Sequence, residues 1–285
     1  MPYLSFGWQI AMAGAAALLL ASGLIWLLKP QGRKGRALVG AVKESGIVLA
    51  LFAFWQLAGT LAHHSAQGAV RRGQDLLTLE QDLHIATEHA TQRLIEGHDV
   101  LAQACNVYYI YGHFNGLILF LSWIWFAHRA LYPSVRMSVV LLTAGCFVVH
   151  LITVAPPRLL PGAGFADTAA EYGQSVYGPT TLEVADQLSA FPSVHVGWAA
   201  IIAWWGWRAS PWRWGWVCLA HLLLTSFVVV ATANHYWLDG VAAIAILAVA
   251  LGLQATVPVL VRASRSRADA GPPEPTEPAE EPALA

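Results

Sequence analysis

The chain has 285 residues, of which 56% are hydrophobic and 12% charged, with a formal net charge of −1 and a mean hydropathy of +0.52. A soluble domain carries about a quarter charged residues, so this composition excludes an ordinary globular fold. It describes a polytopic membrane protein, and no basic patch points to nucleic acid.

A bilayer span needs about 20 mostly apolar residues. Seven candidates follow in chain order, at 6–28, 45–63, 107–127, 136–155, 193–207, 214–232 and 237–261. No basic residue precedes the first run and several follow it, which reads as an anchor rather than a cleaved signal peptide. Between the second and third spans lies a long polar stretch, residues 64–106. There Leu76, Leu79, Leu83 and Ala86 recur opposite Gln74, Asp75, Gln81 and Asp82. This spacing predicts one or two amphipathic helices at the outer membrane surface, either contacting substrate or forming a solvated lid.

Residues 156–188 hold Pro156, Pro157, Pro161, Gly162 and Gly164, which rule out a continuous helix and predict a rigid re-entrant turn. Trp204, Trp205, Trp207, Trp212, Trp214 and Trp216 cluster around the link between the fifth and sixth spans, as an interfacial aromatic belt does. Cys105, Cys146 and Cys218 have neither metal nor disulfide spacing and read as small apolar fillers. After the last span the chain turns to Pro, Glu and Ala, so residues 262–285 are expected to be a disordered tail. Residues 1–44 then form an anchor with a basic loop, and 45–261 the catalytic membrane domain.

Basic residues orient the spans. Lys29, Arg33, Lys34, Arg36, Lys43, Arg129, Arg136, Arg208, Arg213, Arg262, Arg265 and Arg267 all fall on one face, which is assigned to the cytoplasm. Arg71, Arg72, Arg93 and Arg158 are the exceptions. The opposite, extracytoplasmic face then collects Arg158, His195, His235 and Asp239 at the ends of four spans.

Ionisable groups at the wall of a membrane bundle are costly, and their default reading is functional. His235 and Asp239 stand four residues apart, one helical turn, so the carboxylate can orient the ring and make its other nitrogen a better nucleophile. His195 follows Pro192 and Ser193, where Ser193 can cap a helix whose free N–H groups suit an anion. Arg158 offers a guanidinium fork for phosphate oxygens, and Asn234 a further donor. Each residue alone also has a structural reading: a satisfied buried pair, a core histidine, an arginine snorkelling to lipid headgroups.

Taken together, Ala-Pro-Pro-Arg (155–158), Phe-Pro-Ser-Val-His (191–195) and Asn-His-Tyr-Trp-Leu-Asp (234–239) make the sequence resemble the type 2 phosphatidic acid phosphatase superfamily over residues 45–261. The resemblance implies an all-α polytopic membrane protein with the six-helix phosphatidic acid phosphatase-type core plus one extra N-terminal transmembrane helix. It implies that His235 attacks phosphorus to give a phosphohistidine, Asp239 orients it, and His195 moves the proton. Arg158, Ser193 and Asn234 would bind the phosphate, with no cofactor and no metal.

The sequence departs from the family's motifs at Leu151 in place of Lys, Leu159 in place of Pro, Val194 in place of Gly, and Val228–Val229 in place of Ser-Arg. In this it looks most like the inositol phosphorylceramide synthase branch, whose members move phosphorylated headgroups between lipids. Losing two cations suits a singly charged phosphodiester better than a phosphomonoester, unless Arg93, His113 or His150 compensates. The expected substrate is a phospholipid or polyprenyl phosphate, and the acceptor an alcohol or water.

A lipid phosphatase, a metal site on His195, His235 and Asp239, and a non-enzymatic lipid carrier or scramblase are the alternatives. Arg outnumbering Lys by 13 to 3 points to a high-GC bacterium and its plasma membrane. Oligomeric state stays open.

Overall fold

The computed structural model describes residues 8–28, 32–62, 68–85, 87–175, 187–210 and 212–269. The long helices among them are α1 (Trp8–Leu27), α2 (Gly32–Ala62), α5 (Asp99–Ala127), α6 (Tyr132–His150), α8 (Val194–Ala209), α9 (Gly215–Ala231) and α10 (Trp237–Asp269). Short α3 (Ala69–Asp82), α4 (Glu88–Arg93) and α7 (Thr168–Glu171), with a 3₁₀ turn at Pro157–Leu159, belong to the connections. No strand occurs among the described residues; an isolated bridge joins Val154 and Ser189, which flank the expected re-entrant turn, and residues 176–186 of that turn lie outside the described residues.

Among the described residues, five helices are long and apolar enough to cross a membrane: α1, the Lys34–Phe54 part of α2, α5, α6, and the Trp237–Thr256 part of α10. The apolar α9 has 17 residues and α8 has 16. At 1.5 Å per residue these two reach about 24–26 Å, short of the ~30 Å hydrocarbon core. The start of α8 and the end of α9 are continued by the loops that carry the site. Large side chains such as Leu20, Leu119, Phe126 and Val249 face outward, as lipid rather than water around the bundle requires. The chain is an all-α polytopic membrane protein.

A core of Ile124, Leu142, Cys146, Ile201, Trp205 and Leu247 joins α5, α6, α8 and α10, with Cys218 of α9 at its edge. A Cβ on Gly206 would overlap Cys218 Sγ, so α8 and α9 meet at backbone distance there. Helices α1 and α2 pack mainly on one another, and Glu44 of α2 joins them to α6 through an ion pair with Arg136.

Several expectations shift. The basic residues Lys34, Arg36 and Lys43 stand on α2 rather than in a loop, because α2 begins at Gly32. Helix α10 likewise continues past 261 to Asp269, and residues 270–285 of the expected tail lie outside the described residues. Trp205 is buried and donates its indole N–H to Ser138 Oγ at 2.9 Å, so it belongs to the core and not to the aromatic belt. In α3 the buried stripe is Ala69, Gly73, Leu77 and Glu80, while Leu79 and Leu83 are exposed and Ala86 is outside the described residues. Ala69 and Leu77 join an apolar cluster with Val154, Leu160, Ala190 and Tyr236, while Gly73 lies over the Ala155 carbonyl and Glu80 over the start of α10.

Candidate active site

The sequence places chemistry at four helix ends, and the fold brings those ends together. Helix α9 stops at Ala231 and Ala233 adopts the left-handed conformation (φ 51°), an uncommon one for a residue with a Cβ. The turn is held by N–H groups of Asn234 and His235, both donating to the Val229 carbonyl at 3.1 Å. It ends helix α9 and delivers Asn234 and His235 as neighbours facing the loop of Arg158, whose own N–H donates to the Ala233 carbonyl at 3.0 Å.

Asp239 closes the start of α10. Its Oδ2 accepts from the Tyr236 N–H at 2.8 Å, reaching back one turn as the acidic member of a capping box does. The same oxygen lies 3.1 Å from His235 Nδ1, and the Ala190 carbonyl lies 2.8 Å from that nitrogen. Two acceptors on Nδ1 place its hydrogen there and leave the lone pair on Nε2. Burial holds the imidazole of His235 below its ordinary 6.5, to about 4, so the ring is neutral at physiological pH. Nε2 of His235 faces Nδ1 of His195 at 3.3 Å.

His195 sits in the first turn of α8, which begins as the sequence led one to expect. Ser193 is the N-cap, with its Oγ accepting from the Val196 N–H at 3.3 Å, and its own N–H donates to the Asp239 carbonyl at 3.1 Å. The cap thus fixes α8 to α10. Ser193 is fully buried with its Oγ engaged in capping, so it positions the helix and does not present its hydroxyl to a ligand. Tyr109 of α5 stacks on the His195 ring at 4.6 Å between centroids, and His113 meets its edge at 4.0 Å.

Arg158 is held on two sides: Nε donates to Asn234 Oδ1 at 2.8 Å and Nη1 to Asp167 Oδ2 at 2.9 Å. Asn234 in turn donates to Thr232 Oγ1 at 2.9 Å. A pocket opens here, lined by Tyr109, Arg158, Asp167, Gln174 and Asn234. Through Tyr109 it adjoins the two imidazoles.

All six sequence candidates therefore gather in one region. Of the compensating donors, His113 lies against His195, while His150 Nε2 is taken up by the Pro192 carbonyl at 2.9 Å and Arg93 is exposed at the end of α4. His195 and Asp239 stand on opposite edges of the His235 ring, so the three do not converge on one ion. No group of three or more His, Cys, Asp or Glu able to hold a metal occurs among the described residues.

Sequence reasoning missed Tyr109 and Asp167. Tyr109 and His113 were readable as an i, i+4 pair in an apolar helix; Asp167 had no local signal beyond its place beside Arg158.

A family model of the PAP2 superfamily matches residues 74–253. The chain belongs to the PAP2 superfamily. This makes it a membrane enzyme of the lipid phosphatase and phosphotransferase kind, acting on lipid phosphates. The match runs from α3 to α10 and leaves α1 and α2 outside it. Searches of curated proteins and of solved structures found no significant match.

Proposed function

We propose that this PAP2 enzyme is a lipid phosphotransferase that works through a phosphohistidine on His235 at the extracytoplasmic face. The observation that carries this reading is the His235 ring itself, with Nδ1–H given to Ala190 and Asp239 and the Nε2 lone pair turned toward His195. In the resting site His195 Nδ1–H donates to that lone pair. An entering phosphate takes the place of this contact. Substrate binding brings a second proton to His195. Nε2 of His235 attacks phosphorus, the P–N bond forms as the bond to the departing lipid oxygen breaks, and the His195 imidazolium passes a proton to that oxygen and is left neutral. In the second half-reaction an acceptor hydroxyl gives its proton to His195 and attacks phosphorus, and the P–N bond breaks to restore the neutral ring.

The charge of the pocket favours a phosphodiester. Arg158 is the one arginine among the pocket's lining residues, and Asp167 already balances it. A site with this little net positive charge suits one negative charge better than two. This accords with the likeness to the inositol phosphorylceramide synthase branch, whose reaction moves a phosphorylated headgroup. The sidedness rests on the basic residues. Arg136 and Arg208 lie at the far ends of α6 and α8 from His150 and His195, so the basic face and the site are at opposite ends of the bundle. A cytoplasmic tail follows from the same charges, while the catalytic domain over 45–261 rests on the resemblance and the bacterial plasma-membrane location on the excess of Arg over Lys.

The test supplies purified protein with phosphatidate and phosphatidylinositol, each labelled in the phosphate, and follows free phosphate and new labelled lipid together. Label moving from the diester onto another lipid or alcohol is the expected result. Phosphate release from the monoester alone would make the protein a phosphatase and overturn the charge argument.

A further inference from the structure

Two carboxyl groups with no place in the chemistry above lie entirely out of solvent. Glu80 on α3 and Glu88 on α4 are 0% and 1% exposed. Glu80 Oε1 accepts from the Leu238 N–H at 2.6 Å, one of the orphan donors at the start of α10, next in sequence to Asp239. The other oxygen of Glu80 and Oε1 of Glu88 are buried and accept no hydrogen bond from any donor among the described residues. The side chains of Glu80 and Glu88 are within hydrogen-bonding reach of one another. The further groups acting on Glu80 are the Leu238 N–H and Asp239, and the charges of Asp239, Glu80 and Glu88 act in turn on the phenol of Tyr236. None of these is a cation. Two buried carboxylates cannot face one another without a proton between them.

The surroundings show what the pair holds. Helices α3 and α4 form a clasp on the segments that flank the site residues. Arg72 of α3 donates through Nε and Nη2 to the Thr153 carbonyl and hydroxyl at 2.5 and 3.0 Å. Next to Glu88, Thr87 Oγ1 accepts from Trp237 Nε1 at 2.9 Å. One turn beyond, Gln92 brackets Ala166, donating to its carbonyl at 2.9 Å and accepting from its N–H at 3.0 Å. Ala166 precedes Asp167, the partner of Arg158. The Glu80–Glu88 contact is where α3, seated on α10, meets α4, seated on the loop of Asp167.

We propose that Glu80 and Glu88 share one proton and that this acid pair is a positioning device, locking α3 and α4 together so that Asp239 and Asp167 are held in register with His235 and Arg158. Burial, with Glu88 next in weight, pushes the Glu80 carboxyl from 4.5 up to about 9. The sign follows. The pair's contribution to stability is greatest below the unfolded carboxyl's 4.5 and declines as pH rises toward about 9. Above about 9 the shared proton is lost, and two buried charges beside Asp239 drive the clasp apart.

The decisive variant is Glu80→Gln combined with Glu88→Gln, in which amide N–H to amide oxygen replaces the shared proton and nothing titrates. In wild type, kcat is expected to fall about tenfold per pH unit above about 9, with KM changed less. In the double variant that limb is expected to vanish while turnover at neutral pH survives. A limb that persists unchanged in the folded double variant would overturn the proposal. Infrared difference spectroscopy of the wild-type protein gives a second reading. A protonated carboxyl band that disappears as pH passes about 9, and is missing in Glu88→Gln, is expected; no such band would overturn the proposal even where the double variant does not fold. The kinetic arm rests on the transferase reading and the infrared arm does not, so failure of one can be told from failure of the other.

Discussion

Nε2 of His235 and Nδ1 of His195 lie 3.3 Å apart, one the acceptor and the other the donor of the same proton. The contact pairs the nucleophile with the group that must follow the leaving oxygen. Removing His195 takes away the proton and leaves the nucleophile in place. His195→Ala is expected to lower turnover by about two to four orders of magnitude, the usual worth of general acid–base catalysis, measured in steady state with the purified protein. A rate close to wild type would remove His195 from the mechanism.

Asp239 is not the sole keeper of the His235 tautomer, because the Ala190 carbonyl is the nearer acceptor on Nδ1. Asp239→Asn is therefore expected to cost about 10–100-fold, the scale of a lost orienting partner. A loss of about 10⁴, as where a lone carboxylate sets the tautomer, would contradict the shared arrangement.

The Arg158–Asp167 pair competes with substrate for the guanidinium. Asp167→Asn keeps the cap on Ala170 through its remaining oxygen and removes the competing charge. Its expected outcome is a lower KM for the lipid substrate, and a relatively larger gain for a monoester than for a diester. Arg158→Lys cannot reproduce the fork that reaches both Asn234 and Asp167, and is expected to raise KM and lower kcat. Indifference to that change would reduce Arg158 to a membrane anchor.

Gly73 marks how closely the clasp of α3 and α4 approaches the site. A Cβ there would meet the Ala155 carbonyl oxygen at 2.6 Å and Tyr236 Oη at 2.9 Å, two atoms that are themselves hydrogen-bonded. Gly73→Ala is expected to destabilise the protein by about 1–3 kcal/mol, the range for overpacking, read as a lowered unfolding temperature in detergent. An unchanged melt with full activity would show that α3 is not seated on Tyr236.

The membrane-spanning helices and the gathering of Arg158, His195, Asn234, His235 and Asp239 were legible because each rests on a short-range signal: apolar run length, helical spacing, a serine cap before a proline-led turn. The residues that stayed hidden depend on contacts across long stretches of chain. Glu80 reaches Leu238 and Trp237 reaches Thr87, 158 and 150 residues apart, and no local pattern encodes such a meeting. The expected stripe of Leu79 and Leu83 failed for a related reason. Hydrophobic spacing does not say which side of the helix is covered, and in α3 the covered side carries Leu77 in a cluster with Leu160 and Tyr236, with Gly73 over the Ala155 carbonyl and Glu80 over the start of α10. Ser193 was assigned two roles from its position, and only the cap is available to a side chain this buried.

The most direct test of the account is rapid mixing of the purified protein with labelled phosphodiester lipid, followed by an alkaline quench that preserves phosphohistidine. The expected result is label bound covalently to the protein at the speed of the first half-reaction, released by acid and absent in His235→Ala, which is also expected to be inactive. Turnover without any protein-bound label, or label that persists in His235→Ala, would contradict the central claim that His235 is the nucleophile.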